Sequence, residues 1–168
     1  MEVNFVIHDD TISAVATALG DGGIGIIRIS GNKAIEIANN IFRGINGKKA
    51  EDIKTHQVSY GHIIADGEIL DELILIIMKA PHTYTREDVV EIHCHGGSLT
   101  VKHILDLTLR QGARLAEPGE FTKRAFLNGR LDLTQAQAVM DIIRSKTDAS
   151  LKMALGHLSG QFADKISS

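Results

Sequence analysis

Two apolar runs, residues 58–65 and 69–78, are separated by the single step Asp66-Gly67. Asp-Gly between such runs predicts a tight hairpin, because the favoured two-residue turns need positive φ angles that Asp and Gly tolerate. The second run is apolar enough to be an interior strand. The chain is thereby committed to a sheet that extends past the hairpin on at least one side.

More strands and several helices follow from periodicity. Ile12, Ala14, Val15 and Ala16 mark a short strand within residues 11–18, a glycine cluster spans 20–25, and Ile26, Ile27 and Ile29 mark a second strand. Ser30, Gly31 and Asn32 offer helix-start chemistry, after which Ala34, Ile35, Ala38, Ile41 and Phe42 recur at helical spacing until Gly44. Residues 45–55 read as an exposed connection, 81–87 as a polar loop and 88–95 as another strand. Gly96-Gly97-Ser98 then opens an amphipathic helix with Val101, Ile104, Leu105, Thr108 and Leu109 on one face.

Glu117-Pro118-Gly119 punctuates the chain, and a short helix over 120–127 closes on Asn128-Gly129. Thr134 with Gln137 offers a capping box, and Ala136, Val139, Met140, Ile143, Thr147, Leu151 and Ala154 form the stripe of one long helix. No later element returns to cover that stripe, so the rest of a larger helical domain or another subunit is expected to do so. The fold class expected is α+β: a mixed or antiparallel sheet with flanking helices over residues 1–118, then an incomplete α-helical domain over 119–168.

Composition narrows the function classes. Eighteen basic and twenty-one acidic residues leave a formal net charge of −3, too balanced to hold nucleic acid by counterion release alone. An RNA partner would need affinity supplied from elsewhere. Cys94 is the single cysteine, which excludes an internal disulfide, and residues 1–10 hold no basic stretch followed by an apolar run. The longest continuous apolar run, residues 73–78, is far short of the roughly 20 that a membrane helix needs. A cytoplasmic protein without membrane contact is expected.

Several motifs admit two readings. Residues 20–25 satisfy G-x-G-x-x-G, yet Ile26-Ile27-Arg28-Ile29 continues as strand where a dinucleotide site needs a helix, leaving a turn or a loop that approaches a ligand. The nucleotide-binding pattern G-x-x-x-x-G-K-[ST] is absent. His93 and His95 share a face of their strand and could hold a metal, but no third ligand is evident, and Cys94 facing the other way reads as a small core residue. His95-Gly96-Gly97-Ser98 is either a helix cap or a receptor for a carbonyl or anion. Arg28 and Glu91 are charges inside β-branched runs: Arg28 either snorkels to the surface or meets a buried anion or polar ligand, and Glu91 is either edge-exposed or placed to accept paired N–H donors from a planar heterocycle. Arg130 stands out among leucines after the Asn128-Gly129 helix stop, in a basic segment whose other charges read as a solvated face.

Residues 22–31 (Gly-Gly-Ile-Gly-Ile-Ile-Arg-Ile-Ser-Gly), 85–91 (Thr-Arg-Glu-Asp-Val-Val-Glu), His95-Gly96-Gly97 and the long block from Pro118 to Leu133 together closely resemble the MnmE (TrmE) family of tRNA modification GTPases. The resemblance covers the family's amino-terminal domain and the start of its central helical domain. The family's GTPase domain, with its GTP, Mg2+ and K+, and its carboxy-terminal cysteine motif have no counterpart in these residues.

The resemblance implies a domain similar to the folate-binding parts of aminomethyltransferases. Such a domain homodimerises and binds 5-formyltetrahydrofolate or 5,10-methylenetetrahydrofolate, a one-carbon donor, near the dimer contact. It further implies that full-length members act with the FAD-dependent partner MnmG (GidA) on the wobble uridine of certain tRNAs, at its fifth carbon. Arg28, Glu91 and Arg130 match the family's folate contacts, Arg130 standing where the family has lysine or arginine. With them, Gly22, Gly23, Gly25, His95, Gly96 and Gly97 are expected to let backbone approach the ligand. The chain alone is expected to bind folate and not to hydrolyse GTP. Two other readings stay open: a structural dimerisation module without an active folate site, and a metal-dependent hydrolase built on His93 and His95.

Overall fold

A computed structural model describes residues 9–18, 20 and 22–159. The chain divides into two compact units: residues up to Thr83 together with Glu87–Glu117, and Tyr84–Arg86 together with the residues from Pro118 onward.

The first unit holds a seven-stranded sheet and two helices. In chain order its elements are β1 (Ile12–Val15), β2 (Ile24–Ser30), α1 (Ala34–Ile41), β3 (Phe42–Gly44), a 3₁₀ turn (Ala50–Asp52), β4 (Gln57–Ala65), β5 (Glu68–Met78), β6 (Val89–His95), α2 (Ser98–Arg110) and β7 (Arg114–Leu115). The sheet order is β3-β4-β5-β6-β2-β1-β7, antiparallel throughout except for the parallel pair β1 and β7, so the sheet is mixed. The β4–β5 hairpin turns on Asp66 and Gly67, whose φ angles are 52° and 85°, as the Asp-Gly step requires. β5 lies in the sheet interior, between β4 and β6.

Alternation along the strands sorts the two faces. Ile27 and Ile29 of β2, Leu75 and Ile77 of β5, and Val90, Ile92 and Cys94 of β6 are buried in one core with Ile37 and Ile41 of α1 and Val101 and Ile104 of α2. The intervening positions face away from these helices. Opposite neighbours run Ala14, Arg28, Glu91, Ile76 and Val58 across five strands, and beside them run Ile26, His93, Ile74 and Tyr60.

In the first unit the structure departs from the sequence pattern at three places. Phe42 does not end α1: it is extended at the helix C-cap and begins β3, fully buried, because it pairs with Ile63 and fills the core from the sheet. The start of α1 is not capped by Ser30, Gly31 or Asn32. No side chain caps the helix; its N-cap is Lys33, whose backbone N–H Thr11 Oγ1 accepts at 3.0 Å while donating to Asn32 Oδ1 at 3.2 Å, so Thr11 ties down the residues that lead into α1. β7 has no signal in the sequence, being two exposed residues with no apolar pattern.

The second unit contains α3 (Glu120–Leu127), α4 (Leu133–Arg144) and α5 (Asp148–Leu158). The single long helix expected over 134–154 is in fact α4 and α5, separated by Ser145-Lys146-Thr147. Capping explains the break. Asp132 accepts from Gln135 N at 2.7 Å while Gln135 Oε1 accepts from Asp132 N at 3.0 Å, and Thr147 starts α5 by accepting from Ser150 N at 3.2 Å. The capping box therefore belongs to Asp132 and Gln135, not to Thr134 and Gln137. Gln135 Nε2 also donates to Leu158 O at 3.0 Å, joining the start of α4 to the end of α5, and Ala138 and Ala154 are buried. α5 thus returns antiparallel to α4 and covers part of the stripe that lacked a partner in the sequence. Ile143, 71% exposed, remains outside the contact. No helix among the described residues is long and apolar enough to cross a membrane.

Candidate functional site

The register places Arg28 of β2 directly opposite Glu91 of β6, and the two side chains meet. Arg28 Nε donates to Glu91 Oε1 at 2.9 Å, Nη2 lies 2.7 Å from the same oxygen as an ion pair, and His93 Nε2 lies 3.0 Å from the other oxygen, Oε2. An ionised carboxylate can only accept, so the shared proton sits on His93 Nε2. The side chains of Arg28 and Glu91 are 29% and 15% exposed, a pair partly withdrawn from water but reachable from the open face. Burial pushes the Glu91 carboxyl up, but the hydrogen bonds from His93 and Arg28 outweigh it and hold the group below its ordinary value. At neutral pH the site is a fixed anion held by a cation and an imidazole, with apolar Ile26 and Ile74 flanking His93 in register.

The glycines form a different place, on the helix side of the sheet. Gly96 N donates to Gly23 O at 3.3 Å, and a Cβ on Gly96 would run into the Gly22 carbonyl. A Cβ on Gly25 would meet Val101 of α2. These two glycines are thus required by the chain's own packing, where the 22–24 segment crosses the start of α2. Gly97 is the N-cap of α2, and no side chain caps it. Beside this corner lies an apolar cleft of about 310 Å3, bordered by Val15, Gly22, Gly25, Gly96, Val101 and Leu105.

His95 lies at the end of β6, mostly exposed, its N–H donating to Asp71 Oδ2 at 2.9 Å and its Nδ1 2.7 Å from Asp71 Oδ1. His93 and His95 share a face as expected, but each imidazole engages a different carboxylate. Among the described residues no group of three or more His, Cys, Asp or Glu is placed to hold a metal ion. Cys94 is buried in the core, donating to Gly25 O at 3.3 Å, and burial, followed by the nearby Asp71 charge, raises its thiol to about 11.

Arg130 belongs to the second unit. Its guanidinium lies 4.8 Å above the Tyr84 ring, and the Tyr84 hydroxyl is 2.9 Å from Thr122 Oγ1. The Tyr84–Arg86 segment is fixed in this unit by Asn128, whose Nδ2 donates to Thr85 O at 2.6 Å and whose carbonyl accepts from Arg86 Nη1 at 3.0 Å. Arg130 also borders a cavity of about 510 Å3, walled by Leu131, Val139 and Ile142.

The structure therefore brings together Arg28 and Glu91, sets the glycines on the opposite face of the same sheet, and assigns Arg130 to the other unit. Sequence reasoning missed His93 as the partner of Glu91, although the i, i+2 spacing on one strand carries that signal. It also missed Tyr84, which nothing in the sequence marks as the platform for Arg130.

A mixed α+β domain with a charged open sheet face, followed by a helical unit, is the class these features define. The family described as GTP-binding protein TrmE N-terminus matches residues 11–130. This chain belongs to the MnmE (TrmE) family, as its amino-terminal part.

Among its relatives, the tRNA modification GTPase MnmE of Staphylococcus haemolyticus is 52% identical over 159 residues, covering 94% of this chain and 34% of that protein. The proteins of the same name from Alkaliphilus metalliredigens and Carboxydothermus hydrogenoformans are each 56% identical over 160 residues, covering 94% of this chain and 35% of theirs. The chain thus spans about a third of the length of these relatives.

Proposed function

We propose that this chain is the folate-binding, homodimerising part of a tRNA modification GTPase, with residues 1–118 as the binding and dimerisation domain and 119–168 as the beginning of a helical domain. The observation that carries the reading is the Arg28–Glu91 pair on the open sheet face, held ionised and partly exposed. A tetrahydrofolate presents a planar aminopyrimidine edge rich in N–H donors and, at its far end, carboxylates. Glu91 is an acceptor suited to the first, and Arg28 is a donor suited to carbonyl or carboxylate groups. This donor and acceptor set fits 5-formyl- or 5,10-methylenetetrahydrofolate, which supplies a one-carbon unit when bound. The likeness to the folate-binding parts of aminomethyltransferases belongs to the same proposal.

Dimerisation has its own support. Val58 and Tyr60 of β4 are 62% and 49% exposed, and Ile74 of β5 beside them is 39% exposed, on the same sheet face as Glu91. A second copy covering this apolar face would place the charged pair next to the contact. In the cytoplasm the chain would serve, with MnmG (GidA), the modification of the wobble uridine of tRNA, and it is not itself expected to hydrolyse GTP.

A second reading is favoured by the same pair. Both Glu91 oxygens are already engaged within the chain, as in a purely structural ion pair of a dimerisation module without an active folate site. Calorimetric titration with 5-formyltetrahydrofolate, repeated for Arg28→Ala and paired with sedimentation, separates the two. Saturable binding lost in the variant supports the folate site. A dimer that takes up no folate leaves the structural reading.

A further inference from the structure

Glu91 is held unevenly. Arg28 crowds Oε1, Nε donating to it at 2.9 Å with Nη2 2.7 Å away, whereas Oε2 has one contact, with His93 Nε2 at 3.0 Å. A carboxylate gripped through one oxygen can still turn about its terminal bond. The contact at the second oxygen fixes its plane. Oε2 keeps a second acceptor position, and its direction follows from where His93 sits.

His93 is itself well placed to keep that geometry. It lies two residues from Glu91 on the same strand, so the two side chains rise side by side from one face without depending on a loop. Ile26 of β2 and Ile74 of β5 flank it in register. The residue opposite Glu91 on β5 is Ile76, and beyond Arg28 on β1 is Ala14. Arg28 and His93 are thus the charged or titratable groups that act on Glu91 among the described residues. Nearby groups on this face are engaged elsewhere: His95 with Asp71, and Glu72 with His62 and Tyr60.

We propose that His93 is a positioning residue for the bound ligand: its Nε2–H fixes the Glu91 carboxylate so that the remaining acceptor position of Oε2 meets an N–H of the heterocycle. The proposal rests on the folate reading of Glu91 given above. It differs from a metal role for His93, for which no group of three His, Cys, Asp or Glu is placed among the described residues.

The test compares the unaltered chain with His93→Val, which suits a strand but has no donor, and with His93→Gln, whose amide N–H restores one at similar reach. His93→Ala replaces the valine variant if thermal melting shows that it does not fold. Affinity for 5-formyltetrahydrofolate is measured by calorimetry, and titration of the Glu91 carboxyl carbon is followed by NMR. Affinity is expected to fall about tenfold in His93→Val and to return to within about threefold in His93→Gln. The Glu91 titration midpoint should rise in the first variant and recover in the second.

Unchanged affinity in a folded His93→Val chain overturns the role. So does an equal loss in His93→Gln while Glu91 titrates as in the unaltered chain, because the effect then does not pass through the donor. If the unaltered chain takes up no folate, the folate reading itself fails and the role of His93 fails with it, an outcome recognised before any variant is compared.

Discussion

Glu91→Gln removes one charge and almost no volume, which makes it a sharp probe of the open sheet face. The glutamine carbonyl can still accept from Arg28, but the charge-assisted contacts at 2.7 and 2.9 Å become neutral-acceptor bonds, and the amide nitrogen cannot accept from His93. A hydrogen bond to a charged group is worth about 1.5–3 kcal/mol against about 1 for a neutral one, so loss of the anion should weaken folate binding by about 1–2 kcal/mol, roughly 5- to 30-fold. Stability should change less. The pair is partly solvated, so its loss is expected to cost about 1 kcal/mol and to lower Tm by about 2–4 °C.

The pH dependence has a definite sign. The folded carboxyl is held below its unfolded value, so its contribution to stability is fully present above about pH 4.3 and is lost as pH falls through the depressed folded value. Glu91→Gln should flatten that acid limb. Calorimetry and melting curves on the same preparation provide the comparison. Affinity within threefold of the unaltered chain, alongside the expected small loss of stability, would refute the assignment of Glu91 as a ligand acceptor.

Three more outcomes are expected. Val58→Lys combined with Ile74→Lys should abolish the proposed dimerisation in sedimentation while leaving Tm within a few degrees; a dimer that persists in this variant would exclude this face as the contact. Gly96→Ala, whose new methyl meets the Gly22 carbonyl, should cost about 1–3 kcal/mol, a Tm fall of roughly 3–10 °C, whereas Gly23→Ala, with open space at that position, should melt like the unaltered chain. Cys94, its thiol raised to about 11 inside the core, should resist a disulfide probe at pH 8 until the protein is unfolded, and rapid labelling of the folded chain would show the core open there.

What the sequence disclosed follows from how local each signal is. The hairpin was legible because Asp66-Gly67 carries its own conformational preference, and the glycine cluster could be denied a dinucleotide role because the isoleucines after it continue as β2. Phe42 misled because its spacing from Ala38 and Ile41 is helical, while its pairing with Ile63 is a tertiary fact. The break between α4 and α5 was hidden for a related reason: Ile143, Thr147 and Leu151 keep a four-residue spacing straight through Ser145-Lys146-Thr147. Arg28 and Glu91 each stood out as a charge in an apolar strand. That they face one another needed the β2–β6 register, which no single-strand pattern contains. The stacking of Arg130 on Tyr84 joins residues 46 apart in sequence through a loop held by Asn128, and no periodicity could announce it.

The central claim is that a folate is received on the open face of the sheet at Arg28 and Glu91. Its most direct test is amide chemical-shift mapping of the chain as 5-formyltetrahydrofolate is added. The account predicts saturable shifts concentrated on β2 around Arg28 and on β6 from Glu91 to His93. Shifts that do not saturate, or that cluster instead at the glycine corner beside α2, would contradict it.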